Sequence, residues 1–144
     1  MTRTTTDGEA MVAPIALGAG EGETLWFLGV LATVKASSES TAGRVEVTEH
    51  LAPRGSGSPL HVHRDADEWF YVTEGELTFW VGGEVITATA GSFVYGPRGV
   101  PHTFTVRSEQ ARFLLVVEPA GIAQEAATAA EYGSEILGPP GIPA

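Results

Sequence analysis

The sequence predicts an all-β protein, a sandwich or small barrel built from many short strands. Segments of strand length, alternating or rich in β-branched and aromatic residues, recur at close spacing from Leu25 to Glu118. Turn signals separate them, at Gly75, Gly82-Gly83, Gly91 and the run Gly96-Pro97-Arg98-Gly99. No stretch with a helical period appears before Gln124–Tyr132.

Taken in order, residues 1–11 are polar and Thr-rich and predict a frayed start. Val12–Leu17 is expected to pair as a short edge strand, and Gly18–Glu23 to turn. Leu25–Lys35 reads as one buried strand; Gly29, Val30, Thr33 and Val34 weaken the rival helix. Residues 36–43 are a Ser/Thr/Gly loop. Arg44–Leu51 alternates, with Val45, Val47, Glu49 and Leu51 on one face. Arg44, Glu46, Thr48 and His50 take the other, which is expected to be wet.

Short strands then follow at His61–His63, Glu68–Glu74, Leu77–Val81, Val85–Thr89, Ser92–Tyr95, His102–Arg107 and Arg112–Glu118. Gln124–Tyr132 suits a short terminal helix, and residues 138–144 an extended tail that packs on a surface or a neighbour. The whole of 1–144 reads as one domain, with a core over 44–118 and the helix and tail over 122–144.

Composition narrows the partners. The chain has 144 residues, no cysteine and a formal net charge of −10. It can offer no disulfide, thiolate metal site or cysteine nucleophile. So acidic a surface repels nucleic acid and anionic lipid, and neither is an expected partner. Arg3 is the only basic residue near the start, the apolar run from Leu25 is too short to span a bilayer, and no signal peptide is apparent. A soluble, cytoplasmic protein with a small-molecule substrate is expected.

Chemistry concentrates in two blocks. Gly55–Gly75 holds His61, His63 and Glu68, and Gly91–Val106 holds His102, so three of the four histidines lie there. Residues two apart on a strand face the same side, which aligns His61 with His63. Glu68 opens the next strand with Phe70 and Val72 on its face; His102 opens a later one with Phe104 and Val106 on its face. A barrel interior can bring all four together. Three imidazoles and a carboxylate suit one divalent ion per chain, among Fe, Mn, Ni, Co, Cu and Zn. Glu68 either ligates or stands beside the ion as a base. Phe70, Val72, Phe104 and Val106 are the candidate walls of an apolar substrate cup. A lone strand histidine is usually just a satisfied side chain. Agreement at this many fixed positions, however, has a chance probability of roughly below one in a million.

The first block resembles the cupin superfamily motif G-x5-H-x-H-x4-E-x6-G, at Gly55, His61, His63, Glu68 and Gly75. The second resembles G-x5-P-x-G-x2-H-x3-N at Gly91, Pro97, Gly99 and His102, with Val106 in place of the final Asn. That Asn is not a ligand in the family, so its loss makes the cup more apolar and leaves the metal set intact. The resemblance implies a jelly-roll β-barrel of six to eight strands with a three-His, one-Glu metal site at its mouth. The segments D-E-W-F-Y-V-T-E-G-E-L-T-F-W-V-G-G-E, G-P-R-G-V-P-H-T-F and Y-G-S-E-I-L-G-P-P look most like the small quercetin dioxygenase-like group.

Three functions follow from the resemblance. The first is a dioxygenase on a flavonol-like or other aromatic enol, with Glu68 as catalytic base. The second is a non-redox isomerase, cyclase or lyase of secondary metabolism. The third is a small-molecule binding module without catalysis. Trp69, Trp80, Phe70 and Phe104 are candidates to pack a substrate, although barrel packing accounts for most of them. His50 is expected to be solvated, Asp65 and Asp67 to form a polar turn, and Arg98 to lie at the surface. A homodimer joined through the N-terminal strands and the Pro-rich tail is the expected assembly.

Overall fold

The computed structural model describes residues 3–4, 10–27, 29–121 and 134–138. Thirteen strands and no helix are found among them. The predicted helix at Gln124–Tyr132 and the tail beyond Gly138 lie outside the described residues.

Two sheets face one another. The six-stranded sheet runs β10 (Phe93–Gly96), β7 (Asp67–Glu74), β12 (Gln110–Glu118), β5 (Glu46–Pro53), β4 (Val30–Ala36) and β3 (Glu23–Phe27). The five-stranded sheet runs β13 (Ser134–Gly138), β6 (Leu60–His63), β11 (His102–Val106), β8 (Glu76–Val81) and β9 (Glu84–Thr89). Short strands β1 (Arg3–Thr4) and β2 (Ala10–Met11) pair separately. All pairings are antiparallel, and the chain passes repeatedly from sheet to sheet, the build of a jelly roll.

Three expectations are corrected. Residues 12–17 form no strand; Pro14 there has no N–H to give a ladder. Leu25–Lys35 is a hairpin, not one buried strand. Gly29 takes a φ of 81° between β3 and β4, a left-handed conformation that L side chains resist. Trp26 and Phe27 on β3 are then left exposed. The third concerns β5, whose inward face is the polar one. Glu46 and Ala52 are buried, while Glu49 turns outward to meet Arg112 at 3.1 Å. Strand β13 comes from a segment assigned to no strand in the sequence, and it pairs with the strand that carries His61 and His63.

Cross-strand register grades the interior along its axis. At one end Ala52 pairs with Ala111, and Leu77 with Val106; all four are buried and apolar. In the middle Phe113 lies between His50 and Val72, and Phe104 opposite Phe79. At the other end Val117 lies between Glu46 and Glu68, and His102 pairs with His61. Burial of Phe79, Phe113, Leu77 and Phe70 fills the middle and the apolar end, each worth about 1.5–3 kcal/mol in transfer terms. Polar side chains gather at the opposite end.

Candidate metal centre

His61 and His63 sit on β6, Glu68 on β7 and His102 at the start of β11. The first two strands are joined by 64–66, where Ala66 is buried and Arg64 and Asp65 are exposed. Side chains from both sheets therefore meet at the polar end of the barrel. One atom of each side chain falls within 4.8 Å of the others. His63 Nε2 lies 2.5 Å and His61 Nε2 3.9 Å from Glu68 Oε1. His102 Nε2 lies 3.6 Å from Oε2. The rings of His61 and His102 are 4.3 Å apart, centre to centre.

The other ring nitrogens decide what this cluster can hold. His61 Nδ1 is 2.6 Å from the Pro59 carbonyl, and His102 Nδ1 3.1 Å from the Val100 carbonyl. A carbonyl only accepts, so both Nδ1 atoms carry the proton. Each ring then presents its Nε2 to the carboxylate. Backbone carbonyls behind imidazoles are the usual support of metal-binding histidines. His102 Nε2 is buried and makes no hydrogen bond, as a donor awaiting an ion would. The donor set thus fits a divalent metal, held by His61, His63, His102 and Glu68.

The electrostatics agree. Burial works to raise the Glu68 pKa, but the imidazoles of His102, His61 and His63 outweigh it and hold the carboxyl well below its ordinary range. Glu68 is anionic at neutral pH despite being 4% exposed.

Two features that local sequence reasoning passed over hold the ligands in place. Arg98 lies in the turn before His102 and grips Asp67, the neighbour of Glu68. Its backbone N–H donates to Asp67 Oδ1 at 2.8 Å, and its Nη2 to Oδ2 at 3.1 Å. The Arg98 guanidinium keeps the Asp67 carboxyl below its usual pKa. In the same turn Gly99, at φ 80°, donates its N–H to the His63 carbonyl at 2.7 Å. The turn is thereby tied to both ligand strands. Arg98 is exposed, as expected; what the sequence did not announce is its pairing with Asp67 across 31 residues.

His50 corrects another expectation. It faces the interior, stacks on Phe113 with ring centres 4.9 Å apart, and shares a 2.9 Å hydrogen bond with Thr48 Oγ1. Burial lowers its pKa to about 4, an effect partly opposed by the Glu68 carboxylate. Of the proposed cup residues, Phe70, Val72 and Val106 are buried in the core and Phe104 is half-buried against them. Trp69 points outward, stacked on Tyr95.

Comparison with known proteins agrees with this geometry. Residues 47–117 match the Cupin domain family. A Bacillus subtilis protein named quercetin 2,3-dioxygenase is 34% identical over 101 residues, 70% of this chain. The chain spans only 30% of that relative's length. Among solved structures, a Streptomyces nucleoside dehydratase superposes with a TM-score of 0.66 at 16% identity, covering 90% of this chain and 95% of its own. An RmlC-like cupin from Shewanella frigidimarina gives 0.63 at 20% identity, covering 72% and 89%. At those identities the two structures speak for the fold alone.

Proposed function

The chain belongs to the cupin superfamily, and from that premise we propose that it is a metal-dependent dioxygenase of aromatic enols or phenols, of the flavonol kind. One observation carries the reading. Three imidazoles and an ionised carboxylate converge at the polar end of a barrel whose next layer inward is aromatic. The name of the Bacillus relative supplies the reaction class.

A bound divalent ion would polarise a substrate oxygen and, if redox-active, supply electrons to dioxygen. The chain's own residues have separate tasks. Glu68 is ionised, and its oxygens lie among the histidine Nε2 atoms, so it can accept an enol or phenol proton at Oε1 or Oε2. His61 and His102 are fixed in one tautomer by Pro59 and Val100. Phe104 lies 6.0 Å from Phe70 and 5.4 Å from Phe113, a wall that can hold a flat ring and exclude water. Arg98 and Asp67 hold the ligand-bearing strands in register.

Elemental analysis of untagged protein, followed by oxygen uptake with quercetin, tests the reading. About one redox-capable metal per chain and oxygen consumption that stops without air are expected. Turnover that continues undiminished under nitrogen would overturn the oxygenase and place the chain among non-redox isomerases, cyclases or lyases.

A further inference from the structure

The interior of a barrel is a costly place for a polar side chain without a task. Beyond the metal ligands, β5 puts three inside: Glu46, Thr48 and His50, at successive inward positions. Glu46 shares the cross-strand row of Glu68. Thr48 and His50 lie further in, beside Leu115 and Phe113, and both keep partial solvent exposure. Partly exposed Leu115 and Phe104 also face inward, packed against the core, so these four give the β5–β12 wall inward side chains that solvent still reaches.

Aromatic rings connect its two ends. The His102 and Phe70 rings are 6.5 Å apart, Phe70 and Phe113 6.1 Å, and Phe113 and His50 4.9 Å with nearly parallel planes. One His50 nitrogen, Nε2, is engaged by Thr48 Oγ1. Its Nδ1 has no hydrogen-bond partner among the described residues. Either tautomer leaves Nδ1 useful: it accepts from a ligand hydroxyl, or it donates to a ligand carbonyl while Thr48 donates to Nε2. None of the inward positions of β5, β7, β11 and β12 carries Lys or Arg, so the far end offers nothing to an anion.

We propose that His50 and Thr48 form a second, hydrogen-bonding subsite. It takes a neutral oxygen group, hydroxyl or carbonyl, on an aromatic ligand whose other oxygen sits at the His61–His63–Glu68–His102 cluster. His50 is the specificity-determining residue. The subsite rests on the reading of the cluster as a ligand-binding metal centre. Burial favours the neutral imidazole, the form that recognises a neutral partner.

The test is anaerobic binding to the full metal-loaded chain, which needs no turnover. The probes are quercetin, which carries hydroxyls on both benzene rings, and 3-hydroxyflavone, which shares its 3-hydroxyl and 4-carbonyl but lacks those. Wild type is expected to bind quercetin about tenfold more tightly, the effect of roughly one good hydrogen bond. In His50→Phe that ratio should fall toward one with 3-hydroxyflavone affinity unchanged. His50→Gln, which keeps a donor and an acceptor, should restore part of it. Thr48→Val should weaken the preference too, and serves if His50→Phe does not fold. An unchanged ratio in the folded His50 and Thr48 variants overturns the subsite. Failure of wild type to bind either flavonol overturns both the subsite and the proposed substrate class. The expected binding pattern without oxygen uptake leaves the subsite standing and removes only the oxygenase.

Discussion

Acidification should destabilise this fold through one side chain, His50. In the folded chain burial holds its pKa at about 4, against an ordinary 6.5. The folded-state value is the lower, so between the two the unfolded chain binds more protons. Stability therefore falls as pH drops through 6.5 and stops falling near 4. The full shift corresponds to roughly 3 kcal/mol, at about 1.4 kcal/mol per pKa unit. At about pH 5 some 2 kcal/mol of it should already be lost. That pH still lies above the isoelectric point of about 4.7, so the protein keeps a net negative charge.

Urea unfolding of wild type and His50→Gln, at about pH 8 and about pH 5 with chelator present, isolates the effect. Any acid-dependent loss from groups other than His50 is common to both proteins and cancels. Wild type should lose about 2 kcal/mol more than the variant, a midpoint shift of the order of 1 M urea. A pH-dependent difference smaller than about 0.5 kcal/mol would refute the placement of a neutral, desolvated imidazole inside the barrel. A larger acid loss in the variant would reverse the sign and refute it outright.

The other predictions concern the centre and its frame. His61→Ala or His102→Ala should weaken metal binding more than about 100-fold; elemental analysis showing full occupancy in both would sink the ligand set. Metal present at about 100 times its dissociation constant should stabilise the chain by about 2.7 kcal/mol, so chelation should lower Tm by roughly 8 °C. A chelator-insensitive Tm would count against a bound ion. Glu68→Gln keeps the shape of the side chain but removes its charge. Metal should be retained at reduced affinity while turnover is lost, and unchanged kcat would eliminate the base. Gly75→Ala should cost more than about 2 kcal/mol by urea titration. At φ 85° its Cβ would stand 2.8 Å from Ala111 Cα and collide with the Gln110 carbonyl, so a near-neutral result would mean that the β7–β8 turn is not built this way.

The candidate metal centre was legible because its information is local. His61, His63 and Glu68 lie within eight consecutive positions, and strand parity alone sets which way they face. His102 follows a Pro-x-Gly turn whose chemistry is equally short-range. What escaped depended on distance along the chain. The Asp67–Arg98 pair spans 31 residues, and β13 pairs with a strand some seventy positions earlier. Neither leaves a trace in periodicity. The hairpin at Gly29 was hidden differently: a run of apolar residues suited a buried strand, and only the sheet's edge position allows Trp26 and Phe27 to stay exposed.

The reversal of β5 has a more informative origin. Alternation gave the two faces correctly as sets; assigning the polar set to solvent assumed that the interior is uniformly apolar. The register contradicts that assumption in a graded way. Toward the closed end the inward residues are Ala52, Ala111, Leu77 and Val106, and the assumption holds. At the open end they are Glu46, Glu68, His61 and His102, and it fails. A polar residue is expensive inside only where nothing polar answers it. Glu68 is answered by three imidazoles and His50 by Thr48. The error of sign on β5 therefore marks where local pattern and global fold disagree, and it is there that the proposed second subsite lies. On that argument β5 belongs to the site as fully as the two motif-bearing strands, even though no motif runs through it.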